Sequence, residues 1–262
     1  MRRALAGCFA LSVAAPPLGV FLVLRRMSLM SDVLQHGVLP GIALGATVGG
    51  LSVWAMGTGG VIAGLAVALL AGWLARRTGR GEDSQLAALY LVALAAGVAL
   101  VSAQRGVDLT HLLFGSVLAV DDTALLAMAG AATLTLPVLA FIWRPMVLES
   151  LDPGAAGGIW HGCFLTLVVL CVVSGFEALG TLMSVGLMML PAIAARHWTM
   201  SLAGQVGLSV AFATAASVLG LLLSFNVEIP AGPAIVLTAG TVWVASLMFG
   251  RFGGLLRERE GG

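Results

Sequence analysis

LAGQVGLSVAFATAASVLGLLL, residues 202–223, runs for 22 residues without a charged side chain. About 20 predominantly apolar residues in a helix cross the hydrocarbon core of a bilayer, so this stretch is expected to be a membrane span. The same pattern recurs on both sides of it. Working outward, spans are expected at 181–196, 159–179, 123–143, 86–103, 58–75, 33–54 and 4–24 towards the N-terminus, and at 234–250 towards the C-terminus. That makes nine spans, joined by short polar breaks. Two further stretches, Leu109 to Val120 and Asn226 to Pro233, read as re-entrant half-helices. Both are short and carry polar or Pro/Gly interruptions, which a bilayer tolerates only where protein or water covers the backbone. The fold class is therefore an all-α polytopic membrane protein, one membrane domain over residues 1–262.

Composition agrees. Only 10% of the 262 residues are charged and 60% are hydrophobic, against about a quarter charged in a typical soluble domain. The net charge of +1 gives no basic surface for nucleic acid. All 13 cationic side chains are arginine, so neither a phosphate-loop lysine nor a lysine Schiff base exists in the chain. Cys8, Cys163 and Cys171 stand in apolar stretches without CxxC or Cys/His spacing and read as small packing residues. Leu5-Ala6-Gly7-Cys8 has the look of a lipoprotein box, but too few apolar residues precede it to make a signal, and it is read as part of the first span.

The arginines set an expected orientation. With the N-terminus outside, Arg25, Arg26, Arg76, Arg77, Arg80, Arg144, Arg196, Arg251, Arg257 and Arg259 are cytoplasmic and only Arg2, Arg3 and Arg105 are not, ten against three. Gly41, Gly45 and Gly49 lie on one face of the second span, and Gly60 and Gly64 on one face of the third. Small residues four apart let helix backbones approach. Pro16, Pro17, Pro137 and Pro191 are expected to kink or break their helices.

Ionisable groups in apolar segments are costly and draw functional suspicion. Asp32 and His36 are four apart, hence on one helical face, and offer oxygen and nitrogen ligands to a divalent ion. The plainer reading is an interfacial hydrogen-bonded pair at a helix start. Glu177 either faces a polar cavity or is an interfacial charge. Asp108, His111, Asp121 and Asp122 flank the first half-helix and read as loop residues and helix caps, with an extracytoplasmic entrance as the alternative. Met183, Met188 and Met189 read as packing residues, and His161 and His197 as interfacial anchors beside Trp160 and Trp198. No nucleophile–base pair, HExxH or paired Cys motif marks an enzyme.

An ordered set of motifs carries a resemblance. It comprises Pro17-Leu18-Gly19, Arg25-Arg26-Met27-Ser28, Asp32-x-x-x-His36 into Leu39-Pro40-Gly41, then Leu113-Phe114-Gly115-Ser116 with Leu118-Ala119-Val120. Asp152-Pro153, Leu190-Pro191-Ala192 and Pro230-Ala231-Gly232-Pro233 complete it. Together they resemble the membrane permease subunit of the zinc/manganese ABC importers. The resemblance implies a fold similar to the cobalamin-importer permeases, with two permease copies forming a pore in the bacterial inner membrane. It also implies a separate cytoplasmic ATPase, and a periplasmic or lipid-anchored binding protein that delivers the metal. A divalent ion would then be cargo on a path past Asp32, His36 and Glu177, with no tightly bound cofactor and no stable metal site. The loop Asp152, Pro153, Gly154, Ala155, Ala156, Gly157 would couple to the ATPase. Its glycines disfavour helix by about 1 kcal/mol each, so that element is short. Family frequency leans to zinc over manganese or iron. The alternative is a secondary carrier driven by an ion gradient, and a non-transporting scaffold is a third reading.

Overall fold

Lipid offers no hydrogen bonds, so a chain crossing it must satisfy its backbone internally, and the apolar runs duly coil. The computed structural model describes residues 2–28, 30–50, 52–78, 82–103, 121–151, 158–252 and 254–256. Among these the regular elements are all helices: α1 (Arg2–Leu24), α2 (Met30–Gly37), α3 (Leu39–Gly49), α4 (Val53–Thr78) and α5 (Glu82–Ala103), then α6 (Asp122–Leu151), α7 (Gly158–Leu179), α8 (Thr181–Arg196), α9 (Leu202–Val227) and α10 (Ala231–Phe249). The half-helix expected at Leu109–Val120 and the loop 152–157 lie outside the described residues.

Six helices among the described residues are long and apolar enough to cross a membrane: α1, α4, α6, α7, α9 and α10. The protein is a multi-pass membrane protein. The α5 segment 87–102 and all of α8 are shorter apolar helices. The second expected span differs most. It is not one helix over 33–54 but two, broken at Val38 and finished at Gly49. Pro40 has no N–H to bond the carbonyl of His36, four residues back, and Gly50 ends the segment at φ +69°.

The half-helix expected around Asn226–Pro233 does not form. Asn226 and Val227 finish α9, and Ala231 to Pro233 begin α10. The three residues between make a tight turn in which Glu228 is left-handed (φ +55°) and Ser224 Oγ donates to the Ile229 carbonyl at 2.7 Å. The prolines at 16, 17, 137 and 191 interrupt no helix; each lies inside one that continues past it.

α1 is the central helix, with 72% of its apolar window buried against 17–56% for the other five. It packs on α6, α7, α8 and α9. Contacts along its length fix helix directions. Arg3 pairs with Asp122 at one end and Phe21 stacks edge-on against Trp143 towards the other, so α1 and α6 run parallel. Gly175 of α7 packs on Leu11, and Phe21 on Phe164, so α7 is antiparallel to both. Gly60 and Gly64 of α4 meet Val173 and Val169 of α7, and α4 therefore runs with α1. Gly175 also meets Ser184, and Gly19 meets Met188 and Ala192, so α8 is parallel to α1 as well. Arg25, Arg77, Arg144 and Arg196 consequently gather at one end of the bundle. Arg251 joins them, since the Phe252 amide next to it donates to the His197 carbonyl at 2.9 Å.

The glycine faces act as the spacing suggests. A Cβ at Gly41 would run into the Gly59 carbonyl and Ala63, and one at Gly45 into the Ala55 carbonyl. α3 and α4 thus touch backbone to backbone. At the opposite end from the arginine cluster, Asp121 caps α6, accepting from the Ala124 amide at 2.8 Å and the Thr123 hydroxyl at 2.6 Å. The Thr123 hydroxyl, then the amide, hold the Asp121 carboxyl below its usual 3.8.

Overpacking a close contact costs about 1–3 kcal/mol. Gly41→Leu is therefore expected to lower the apparent melting temperature of the detergent-solubilised protein by several degrees, whereas Gly130→Leu, at a glycine with open space around it, leaves it unchanged. Asp121→Ala should fray the first turn of α6 by roughly 1 kcal/mol, read as faster amide exchange at Ala124 and Leu125. Because the folded carboxyl is the stronger acid, the cap contributes fully above 3.8 and is lost as pH falls through its lower folded value.

Candidate functional site

The short helix α2 is amphipathic. Met30, Ser31, Leu34, Gln35 and Gly37 are buried, leaving Asp32 and His36 on the other face, with side chains 54% and 22% exposed. The two share one face as their spacing requires. Asp32 Oδ1 stands 3.8 Å from His36 Nε2, beyond a direct hydrogen bond. His36 Nδ1 is buried without a hydrogen-bond partner among the described residues, and its ring lies 5.6 Å from that of Tyr90, the chain's single tyrosine.

Asp32, Gln35 and His36 form one wall of a cleft of about 220 Å³. Thr181, Leu182, Val185 and Gly186 of α8 and Val236 of α10 form the others. Gln35 Nε2 donates to the Thr181 carbonyl, tying α2 to the first turn of α8. That turn can begin there because Gly180 alone separates α7 from α8, at φ +88° and ψ +167°. This backbone region is open essentially to glycine only. Gly186 lets the neighbouring Val236 come close to α8.

The expected site residues fare unequally. Asp32 and His36 come together at the cleft. Glu177 lies on the last turn of α7, three residues before Gly180, and its side chain lies outside the described residues, as does the whole of the coupling stretch Asp152, Pro153, Gly154, Ala155, Ala156, Gly157. Met183, Met188 and Met189 are buried packing residues. Asp121 and Asp122 are the cap and the partner of Arg3. Trp198 donates its indole N–H to Ser246 Oγ at 2.9 Å, and His197 accepts through its backbone. His161 is not a simple interfacial anchor, because it contacts Arg25 and Glu149 inside the bundle. Gln35, Thr181 and Tyr90 were not marked by the sequence reading. The available signals were a glutamine beside His36 on the same short helix and one tyrosine in an otherwise aliphatic span.

A carboxylate and an imidazole at the edge of a cleft between three helices can contact a passing divalent cation. Among the described residues no three His, Cys, Asp or Glu side chains converge, and at the cleft they supply the Asp32–His36 pair. With this geometry in place, the sequence matches the ABC 3 transport family over residues 1–250. The chain belongs to the ABC 3 transport family. It is similar to the manganese import system permease protein ScaB of Streptococcus parasanguinis, 31% identical with 94% of this chain and 89% of that one covered. It is also similar to the manganese transport system membrane protein MntC of Halalkalibacterium halodurans, 30% identical over 98% and 89%. The structure of PsaBC from Streptococcus pneumoniae in complex with Fab superposes at a TM-score of 0.85, with 29% identity and 98% and 94% coverage. The resemblance to divalent-metal ABC importer permeases is thereby borne out over nearly the whole chain, and a gradient-driven carrier is not favoured.

Alanine at Gly180 would carry a strain of about 1–3 kcal/mol. Gly180→Ala is expected to lower the melting temperature and to shift Thr181 away from Gln35, visible as increased reactivity of a cysteine placed at Leu182.

Proposed function

We propose that this chain is the membrane subunit of an ATP-driven importer of divalent metal ions, with manganese as the first candidate cargo and zinc or iron as the alternatives. The observation that carries the reading is the Asp32–His36 pair at the edge of the α2–α8–α10 cleft, in a chain of the ABC 3 transport family. Manganese ranks first because the two named relatives are manganese systems and because a carboxylate suits it, while the imidazole also suits zinc. The lean to zinc drawn from family frequency finds no support in these relatives.

In this reading two copies of the chain face each other across the path, each contributing Asp32 and His36. The cation exchanges part of its water shell for these side chains, and Glu177 at the end of α7 contributes further negative charge. Contacts of this kind must be weak enough to release the ion, so affinity resides in a separate binding protein outside the membrane. The end of the bundle that gathers Arg25, Arg77, Arg144, Arg196 and Arg251 faces the cytoplasm, which puts the N-terminus outside. A separate ATPase docks at that arginine-rich end on the loop Asp152–Gly157. ATP binding alternates the pair between inward- and outward-facing states.

The experiment is metal-dependent ATP hydrolysis and uptake in liposomes holding this chain with its ATPase, supplied with manganese-loaded or zinc-loaded binding protein. Stimulation by one of them is expected and names the cargo; no stimulation by either sinks the reading. Asp32→Ala combined with His36→Ala is expected to reduce uptake at least tenfold at unchanged protein level. Uptake equal to the parent would remove these residues from the path.

A further inference from the structure

The bundle contains a second polar cluster, remote from the cleft. Arg25 follows directly on α1, and its side chain is 9% exposed. Its Nη2 lies 2.8 Å from Glu149 Oε1 and 2.6 Å from His161 Nδ1. The guanidinium lies over the Phe164 ring at 5.6 Å, with Met146 Sδ 4.0 Å from Nη1. Glu149 is 7% exposed and its Oε1 is 3.5 Å from His161 Nδ1, while Oε2 meets no donor among the described residues. Arginine can only donate, so His161 Nδ1 is the acceptor in its hydrogen bond with Arg25.

The position of this cluster is what gives it meaning. Glu149 lies two residues before Leu151, the end of α6, and His161 three residues after Gly158, the start of α7. The cluster therefore fastens together the two helix ends from which the 152–157 loop departs. Arg25 adds the end of α1. From there the chain turns tightly into α2: Arg26 takes φ +58°, the Met27 amide bonds the Leu22 carbonyl at 2.9 Å, and the Met30 amide bonds the Met27 carbonyl at 3.0 Å. Met27 and Met30 are buried, and Asp32 follows two residues after Met30.

Stability alone does not account for the arrangement. Taking an ion pair out of water costs several kcal/mol per ion, and apolar residues of similar volume often do as well or better. A pair in which, among the described residues, one carboxylate oxygen meets no donor is poorer still. What such a pair does provide is a fixed register, because parting it strands a buried charge.

We propose that Arg25, Glu149 and His161 form a coupling clamp, three positioning residues that bind both ends of the 152–157 loop to the turn leading into α2. Displacement of the α6 and α7 ends then moves α2, and with it Asp32 and His36, as one lever. This inference rests on the importer reading above, in which the loop receives the ATPase.

The test uses the complete importer in liposomes with manganese-loaded binding protein, and its readout is the ratio of stimulated to basal ATP hydrolysis, alongside uptake. Glu149→Gln is expected to assemble with the ATPase and retain basal hydrolysis, yet lose the stimulation and at least tenfold of the uptake. A purely structural role would lower protein amount and both hydrolysis rates together and leave their ratio unchanged. That result, or stimulation and uptake within twofold of the parent, overturns the clamp. Should Glu149→Gln fail to accumulate, His161 decides. His161→Asn keeps an acceptor at the place of Nδ1 and is expected to stay coupled, whereas His161→Leu loses at least threefold of the stimulation; equal behaviour of the two overturns the proposal. If the unsubstituted importer shows no stimulation at all, the importer reading fails, and the clamp fails with it.

Discussion

Hydrocarbon gives apolar helices no reason to prefer each other over lipid, and it offers no partner to a stray polar group. Beside apolar side-chain packing such as Phe21 on Trp143 and Phe164, helices in this chain meet through bare backbone and through polar side chains that have found each other. Gly41 and Gly45 against α4, Gly19 against the Met188 carbonyl and Gly220 against Ile235 are contacts of the first kind. Ser12 with Ser217, Gln35 with Thr181 and Arg25 with Glu149 are of the second. The glycine contacts set how close the helices come, and the polar pairs set which part of one faces which part of the next. The position of α2 beside α8, on which the cleft depends, is held by the Gln35–Thr181 hydrogen bond.

Much of this was legible in the sequence because length and charge poverty suffice to mark a membrane helix. The runs at 4–24, 159–179, 181–196 and 202–223 fall within one or a few residues of observed helices at most ends. Legibility failed where a local backbone effect outweighed hydropathy. The 33–54 run is apolar throughout its second half, yet Pro40 and Gly50 divide and end it. Conversely, Asn226 to Pro233 carries every signal of an irregular element, but a three-residue turn is enough to reverse the chain there. Helical spacing placed Asp32 and His36 on one face. It was silent on Gln35, Tyr90 and Arg25 with its partners Glu149 and His161, since the contacts that Gln35, Tyr90 and Arg25 make join residues 54 to 146 positions apart in sequence.

The division of α2 from α3 has a bearing on the site. A helix of eight residues, tied to α8 through Gln35 and preceded by a hydrogen-bonded turn, carries the site without being part of a full membrane span. The paired ligands ride on that unit. Their mutual geometry is set within α2, while their distance from α8 and α10 is set by how α2 sits.

The central place of α1 also governs how the protein is made. Ser12 is 205 residues away in sequence from its partner Ser217, a delay of roughly 10–40 s at the usual 5–20 residues per second of synthesis. Until α8 and α9 have been synthesised, the faces of α1 that they cover lack those partners. The bundle is thus completed from the inside outwards in time, the earliest helix being enclosed by later ones. A chain that ended before α8 would lack the helices that cover those faces of α1.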